Sequence, residues 1–311
     1  MIIALINDFK SSIKSPESEE KLDLLLYRPF GYLIAKMANV LGMTPSMLSI
    51  LGLLFGLISS FYFLDYYNPT ALMWASFYFI LSGILDSSDG QLARISNQST
   101  KLGLILDGIC DSFVIIAIYA SCAWPFLKNY GPIFLPVILL ALYLHSCQCA
   151  ILDFYHREYL FFGYGKTEND TYWNQGVADG HLVIKNSSTG LERLMNSLRL
   201  GWVKKQQFLT TRTDDQRRAM REYLLNGNEI EKNNFKQAYR RNNLWLLPFL
   251  RLIGVNSHTV LIIVYMFLHR FDIFLVAFDL IVFNLIILVV GTMQRNSDLK
   301  FFSELNLKVN E

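Results

Sequence analysis

Six long apolar runs constrain this chain more than any other feature. A helix needs roughly 20 apolar residues to cross a bilayer, and shorter runs are completed by helical extension into the headgroup zone. With 52% hydrophobic and only 17% charged residues, the 311-residue chain is too apolar for a soluble domain. We therefore predict an all-α, polytopic integral membrane protein with six transmembrane helices: Ser46–Leu64, Ala71–Leu85, Ser112–Phe126, Pro132–Leu152, Ser257–Leu268 and Ile273–Met293.

The basic residues are distributed unevenly about these runs. The presumed exterior loops hold two of them, Lys128 and Arg270, whereas Phe154–Asn243 holds fifteen of the twenty-eight. The positive-inside rule then places both termini and the long polar segment in the cytoplasm, and an even helix count agrees. The N-terminus has no basic residues ahead of its apolar start and no small-residue cleavage pattern, so we expect no cleaved signal peptide. In a bacterium this predicts the inner membrane.

The chain divides into five segments by composition. Residues 1–43 form an N-terminal cytoplasmic segment, in which Glu19–Leu41 has the periodicity of a helix lying on the membrane surface. An ordinary lead-in to the first span, without substrate contact, explains the same pattern. Residues 44–155 hold the first four spans, 244–295 an interfacial piece and the last two, and 296–311 a tail.

The remaining segment, 156–243, is a polar insert. Within it Asp214 is a plausible N-cap for a helix ending at Asn226-Gly227, and a second helical piece lies near Ile230–Tyr239. Its basic excess favours anionic headgroups or a phosphorylated acceptor, although a solvated helical hairpin explains the same charges.

Four aspartates occur where the second and third apolar runs meet. Asp86 and Asp89 are three residues apart, and Asp107 and Asp111 are four apart, so each pair lies on one helical face. The polar ISNQST between them turns the chain at the membrane boundary. Two acidic faces can therefore converge.

Converging carboxylates repel one another in a partly dehydrated setting unless cations intervene. Oxygen ligands alone indicate Mg²⁺, Mn²⁺ or Ca²⁺ rather than zinc. Two such ions bridged by shared carboxylates would hold a diphosphate, and displacement at phosphorus is the chemistry that this favours.

Small and cationic residues frame the acids. Gly90, Ala93 and Gly103 leave room for a nucleotide against the backbone, and close helix packing is the competing explanation. Arg94 either grips a phosphate or offsets the acidic charge.

The pattern D-x-x-D-G-x-x-A-R, eight residues, then G-x-x-x-D-x-x-x-D resembles the signature of the CDP-alcohol phosphotransferase family. Every fixed position is met, by Asp86, Asp89, Gly90, Ala93, Arg94, Gly103, Asp107 and Asp111. The resemblance extends over 20–155 and 244–295, and the insert departs from it.

The resemblance implies transfer of a substituted phosphate from a CDP-linked donor to an alcohol, with release of CMP. It implies two divalent ions, Mg²⁺ or Mn²⁺, held by Asp86, Asp89 and Asp107, with Asp111 as the general base that also touches metal. It further implies donor contacts from Gly90, Ala93, Arg94 and Gly103, a hydroxyl assisting at Thr100, and a homodimer.

Two substrate pairs remain open. One is CDP-diacylglycerol with inositol phosphate, inositol or glycerol phosphate; the other is CDP-ethanolamine or CDP-choline with diacylglycerol or ceramide. Six helices favour the first pair, and the basic insert fits a phosphorylated acceptor, with Lys101, Arg157 and Arg251 as candidate ligands. The stretches YRPFGYLIA and TPSMLS resemble the enzymes of the second pair.

Other function classes fit less well. An ion transporter would spread its acids along a path rather than gather them at one boundary, and a catalytically dead scaffold need not keep all four. We find no organised pattern for nucleic acid. The four cysteines are expected to pack as small hydrophobes, and His145 with Cys147 and Cys149 fails metal geometry because three neighbours on one helix cannot all face inward.

Overall fold

The computed structural model describes residues 9, 12–13, 19–165 and 177–305, and every regular element within them is helical. The N-terminal elements are a π-helical turn Asp23–Tyr27, α1 (Arg28–Val40), α2 (Pro45–Phe63), α3 (Pro69–Ser96) and α4 (Lys101–Tyr130). A short 3-10 turn, Pro132–Phe134, then leads into α5 (Leu135–Tyr164). The predicted all-α class is confirmed.

The helix ends follow from local sequence. Pro45 and Pro69 begin α2 and α3, where a missing N–H costs nothing. Asn97 ends α3 in the left-handed region, with φ of 53°, which asparagine tolerates well. Thr100 then caps α4 by accepting a hydrogen bond from the Gly103 N–H at 3.0 Å. A short turn therefore joins the two helices that carry the four aspartates.

The insert is more helical than the sequence predicted. Its described elements are α6 (Val177–Lys185), α7 (Gly190–Leu209), α8 (Asp214–Asn226) and α9 (Glu229–Asn243). The helix ending at Asn226 was predicted, but its cap is Thr213 rather than Asp214, because Thr213 and Gln216 form a reciprocal capping box. The twenty-residue helix α7 was missed.

The C-terminal elements are a 3-10 turn Leu244–Leu246, α10 (Leu247–Leu252), α11 (Val255–Phe267) and α12 (Phe271–Glu304), which is π-helical over Phe274–Val282. Among the described residues, six helical runs are long and apolar enough to cross a membrane, which confirms the predicted number of spans. They are Pro45–Phe63, Pro69–Ser96, Leu102–Asn129, Pro132–Tyr164, Glu229–Phe267 and Phe271–Glu304.

The chain forms two compact units. The first consists of Met1–His145 with Val255–Val282, and the second of Ser146–Gly254 with Phe283–Glu311. In the first unit α2 packs closely on its neighbours, since a Cβ on Gly52 would lie 3.4 Å from the Ser82 carbonyl oxygen and one on Gly56 would lie 2.5 Å from a methyl of Val114.

The second unit contains a buried ion cluster. Arg212 pairs with both Glu158 and Asp298, and Arg217 Nε donates to Glu158 Oε1 at 2.9 Å. Burial alone lowers the pKa of Arg212, but the carboxylates of Asp298 and Glu158 outweigh it and hold that pKa well above its usual value. Arg212 is therefore charged at any physiological pH, and it links α5, the α7–α8 connection and α12.

The insert helix α7 packs on α5 within the same unit. Gln206 Nε2 donates to the Ala150 carbonyl at 3.2 Å, and Lys205 Nζ donates to Ser146 Oγ at 2.7 Å. Both acceptors belong to the fourth membrane-spanning run. The insert is thus packed onto a spanning helix along α7.

Candidate active site

Three of the four aspartates come together in the first unit. One carboxylate oxygen from each of Asp86, Asp89 and Asp107 lies within 4.8 Å of the others. Asp86 and Asp89 are one turn apart on α3. Asp107 reaches them from α4, which forms the acidic hairpin together with α3 and the short turn between them. The structure thus brings the two acidic faces together, as their helical spacing predicts.

Asp111 lies one turn further along α4, outside that group of three but beside Asp86. A small cavity is lined by Asp86, Asp107 and Asp111, together with Ser49, Gly52, Leu53, Ser82, Cys110 and Val114. Asp111 is more exposed than Asp89, which is buried. It therefore borders both the acid cluster and the space that a substrate group could enter.

Ser49 on α2 supports the cluster and was missed by sequence reasoning. Its hydroxyl donates a hydrogen bond to Asp89 Oδ2. Such a bond fixes one oxygen of Asp89 and leaves the carboxylate oriented toward its neighbours. The available signal was the position of Ser49 one turn after Pro45, on the face of α2 that turns toward α3.

Two glycines of α2 were also missed. Gly52 lines the cavity, and Gly56 contacts Val114, another lining residue. Both lie in the series Gly52, Gly56, Ser60, a small-residue repeat at every fourth position that permits close helix approach in membranes. That repeat was the signal.

Gly90, Ala93 and Arg94 lie together at the end of α3. A Cβ on Gly90 would be 3.5 Å from Arg94 Nη1, an ordinary contact, so tight helix packing does not explain this glycine. The Ala93 carbonyl accepts the closing hydrogen bonds of the helix from Asn97 and Gln98. Arg94 Nε donates to the Ser12 carbonyl at 2.6 Å, which holds the guanidinium over Gly90.

The remaining predicted ligands fall in three places. Gly103 lies against the cap of α4, where a Cβ would be 3.0 Å from Thr100 Oγ1. The side chain of Lys101 lies outside the described part of the chain. Arg157 and Arg251 belong to the second unit, in which Arg157 Nε pairs with Asp153 at 2.7 Å. Their role in acceptor binding stays a prediction.

The donor set of the cluster fits a hard divalent cation. Asp86, Asp89 and Asp107 offer carboxylate oxygens only, which Mg²⁺, Mn²⁺ and Ca²⁺ prefer. Three carboxylates at this separation repel one another strongly, and divalent charge removes that cost. These residues could therefore hold metal.

Comparison with known proteins gives a family match that covers the acidic centre. Residues 42–159 match the family described as CDP-alcohol phosphatidyltransferase. This range contains all four aspartates, Ser49 and the cavity-lining residues of α2, α3 and α4. No solved structure matches the chain significantly.

Curated relatives match over shorter stretches. The chain is 37% identical over 73 residues to the CDP-diacylglycerol–inositol 3-phosphatidyltransferase of Homo sapiens, which covers 24% of this chain and 32% of that protein. It is 34% identical over 97 residues to the CDP-diacylglycerol–glycerol-3-phosphate 3-phosphatidyltransferase of Cereibacter sphaeroides (31% and 43%). It is 34% identical over 77 residues to the cardiolipin synthase (CMP-forming) of Streptomyces coelicolor (25% and 34%). The matches thus span between about a third and somewhat over two fifths of the length of these relatives.

Proposed function

Since residues 42–159 match the CDP-alcohol phosphatidyltransferase family, we propose that the chain transfers a substituted phosphate from a CDP-linked donor to an alcohol and releases CMP. Oxygens of three aspartates from two helices converge beside a cavity that a fourth, Asp111, also lines. Convergent carboxylates at a cavity can hold divalent cations and also serve as a base, the two functions that this reaction requires.

We assign the donor as CDP-diacylglycerol and the acceptor as a small polar alcohol: inositol phosphate, inositol or glycerol phosphate. Two of the relatives above act on CDP-diacylglycerol by name, one with inositol and one with glycerol 3-phosphate. The insert's basic excess suits a phosphorylated acceptor. The alternative pair, a CDP-aminoalcohol with a lipid alcohol, is an outcome that the experiment below distinguishes.

The aspartates have separate roles. Asp86, Asp89 and Asp107 would hold two ions, Mg²⁺ or Mn²⁺, and Ser49 keeps Asp89 in position. When bound, the ions neutralise the diphosphate and the departing CMP. Asp111, also within reach of metal, takes the proton of the acceptor hydroxyl as its oxygen bonds to the phosphorus that carries the lipid, while the bond from that phosphorus to the CMP oxygen breaks.

The end of α3 and the cap of α4 form the part of the site that binds the CDP-linked donor. The Arg94 guanidinium, held over Gly90, supplies positive charge for a phosphate oxygen. Gly90, Ala93 and Gly103 keep bulk away from the backbone there, and Thr100 fixes the start of α4. We further propose that the centre faces the cytoplasm, as the charge asymmetry predicts, and that the protein works as a homodimer in the membrane.

The test is CMP release from purified full-length protein in lipid nanodiscs. We expect release from CDP-diacylglycerol with one of the three polar acceptors when Mn²⁺ or Mg²⁺ is present, and none with EDTA. Asp107→Asn should abolish release, whereas Asp65→Asn, on the loop after α2, should not. Release only from CDP-ethanolamine or CDP-choline would overturn the donor assignment. No metal-dependent release from any CDP-linked donor would overturn the proposed function.

A further inference from the structure

A second polar cluster lies inside the membrane-spanning runs of the first unit, and none of its members belongs to the segment 86–111 that carries the four aspartates. It consists of Tyr119 on α4, His145 on α5, His258 on α11 and Asp279 in the π-helical part of α12. Donor atoms of His145, His258 and Asp279 all lie within 4.8 Å of one another. Four helices thus each contribute one polar side chain to the same point.

The cluster is deeply buried. His145, His258 and Asp279 are 3%, 1% and 0% exposed. The rings of Phe271 and Phe274 pack on Tyr119, and that of Phe274 also packs on His258. Ionisable side chains within membrane spans are costly and generally mark a functional site. The π-helical stretch Phe274–Val282 adds weight, because π-helical turns are rare and occur frequently at functional positions.

Hydrogen bonds orient the ligand atoms. Tyr119 donates its hydroxyl proton to Asp279 Oδ2 at 3.0 Å and lies 3.2 Å from His145 Nδ1. Because that proton goes to Asp279, the Tyr119 oxygen accepts from Nδ1–H of His145. In this tautomer Nε2 of His145 carries the lone pair that a metal requires.

The second carboxylate oxygen of Asp279 lies near His258. Its Oδ1 lies 3.7 Å from Nε2 of His258, while Tyr119 holds its Oδ2. Ligands of a tetrahedral zinc ion, bound at about 2.0–2.2 Å, lie roughly 3.4 Å apart. Side-chain movements of well under 1 Å would therefore bring this pair to ligand spacing. The other pairs in the cluster, whose donor atoms lie within 4.8 Å of one another, need larger movements.

We propose that His145, His258 and Asp279 bind one divalent transition-metal ion, with zinc as the best fit, at a site distinct from the aspartate centre. Two imidazole nitrogens and one carboxylate oxygen form the donor set of a zinc site with one open position, whereas the aspartates offer oxygen alone. Tyr119 is the positioning residue that orients both Asp279 and His145. The ion would tie α5, α11 and α12 together inside the membrane.

The sequence alone could not indicate this site. His145 lies near Cys147 and Cys149 in sequence. Among the described residues, however, the donor atoms that lie within 4.8 Å of its own belong to His258 and Asp279, which are on other helices. Ligands that are distant in sequence leave no spacing signal. A metal-free hydrogen-bonded network is the competing account of the same four residues.

Cobalt substitution tests the proposal on full-length protein in detergent. The purified protein is stripped by a chelator, reloaded with Co²⁺ and desalted, and its visible spectrum and metal content are measured. Tetrahedral cobalt with nitrogen ligands absorbs strongly, whereas a six-coordinate oxygen site absorbs weakly. We expect one strongly absorbing equivalent per chain, displaced by Zn²⁺ and retained in Asp86→Asn, which disables only the aspartate centre.

The ligand variants His258→Gln and Asp279→Asn should lose this absorption, while His269→Asn, a histidine outside the cluster, should keep it. Absence of the band from the native protein, or its persistence in both ligand variants, would overturn the proposal in favour of the hydrogen-bonded network. Should a ligand variant fail to elute as a folded species, the Asp86→Asn protein decides, because its aspartate centre is disabled. Its melting temperature should rise by several degrees when the stripped protein is given Zn²⁺, and no rise counts against the site.

Discussion

The hydroxyl of Ser49 on α2 donates a hydrogen bond to Oδ2 of Asp89 on α3. It links a helix that carries no acid to the acidic hairpin, so α2 positions the centre as well as packing against it. Loss of a partner that orients a metal-binding carboxylate typically lowers metal affinity or activity by roughly 10- to 100-fold.

We therefore expect Ser49→Ala to raise the Mn²⁺ concentration needed for half-maximal CMP release by about 10- to 100-fold. Ser59→Ala is the matched control, because Ser59 on the same helix donates to the Ala75 carbonyl at 2.7 Å, away from the acids. The measurement is CMP release across a Mn²⁺ titration. An unchanged Mn²⁺ requirement in Ser49→Ala would show that the bond does not position Asp89.

Asp111→Asn separates proton transfer from metal binding. Asn keeps the size of the side chain but cannot accept the acceptor's proton, so turnover should fall by about 10²- to 10⁴-fold while CDP-diacylglycerol still binds. Reactions quenched at timed intervals give the rate of CMP release, and equilibrium binding of labelled CDP-diacylglycerol gives the donor affinity. Asp107→Asn should instead weaken both, since Asp107 belongs to the group of three. Near-normal turnover of Asp111→Asn would remove it from the role of base.

Gly56→Ala should destabilise the first unit. The added Cβ would lie 2.5 and 2.7 Å from the two methyls of Val114, a branched side chain with little freedom to move. Overpacking of this kind costs about 1–3 kcal/mol. Gly108→Ala is the control, since nothing lies within 4 Å of its added Cβ. Thermal melts in detergent should fall for the first variant only, and equal melts would contradict the close approach of α2 and α4.

Arg212→Met should destabilise the second unit far more than the equivalent change at the surface. It leaves the carboxylate of Asp298 buried without the Arg212 cation and that of Glu158 paired with Arg217 alone, which costs about 3–5 kcal/mol. Arg241→Met removes an ion pair to Glu304 in which Arg241 is 70% exposed, and such pairs contribute about 0–1 kcal/mol. The two variants are compared by denaturant unfolding. Similar losses would mean that the Arg212 cluster is solvated in the membrane protein.

The acidic hairpin was accessible from sequence because its information is local. Helical spacing places each pair of aspartates on one face, and the polar turn between them is short. The spans were likewise predictable, because hydrocarbon selects long apolar helices whatever they pack against.

What sequence reasoning missed depends on contacts between distant residues. Ser49 and Gly56 matter only through α3 and α4, and His145 only through α11 and α12. Helix α7 was missed because its surroundings are rich in turn residues, although Thr189 caps it by accepting from the Glu192 N–H at 3.1 Å. Local pattern cannot rank one serine, glycine or histidine above another until the helices that they face are known.

The short turn from Asn97 to Thr100 places the two helices that carry the aspartates next to each other in the order of synthesis. Ser49 and all four acids are encoded before residue 112, and their contacts close over short chain separations, which keeps the entropic cost of assembly low. Once Asp111 of a nascent chain has entered the membrane, Ser49 and all four aspartates have been inserted. The acidic cluster can therefore assemble before the insert is translated.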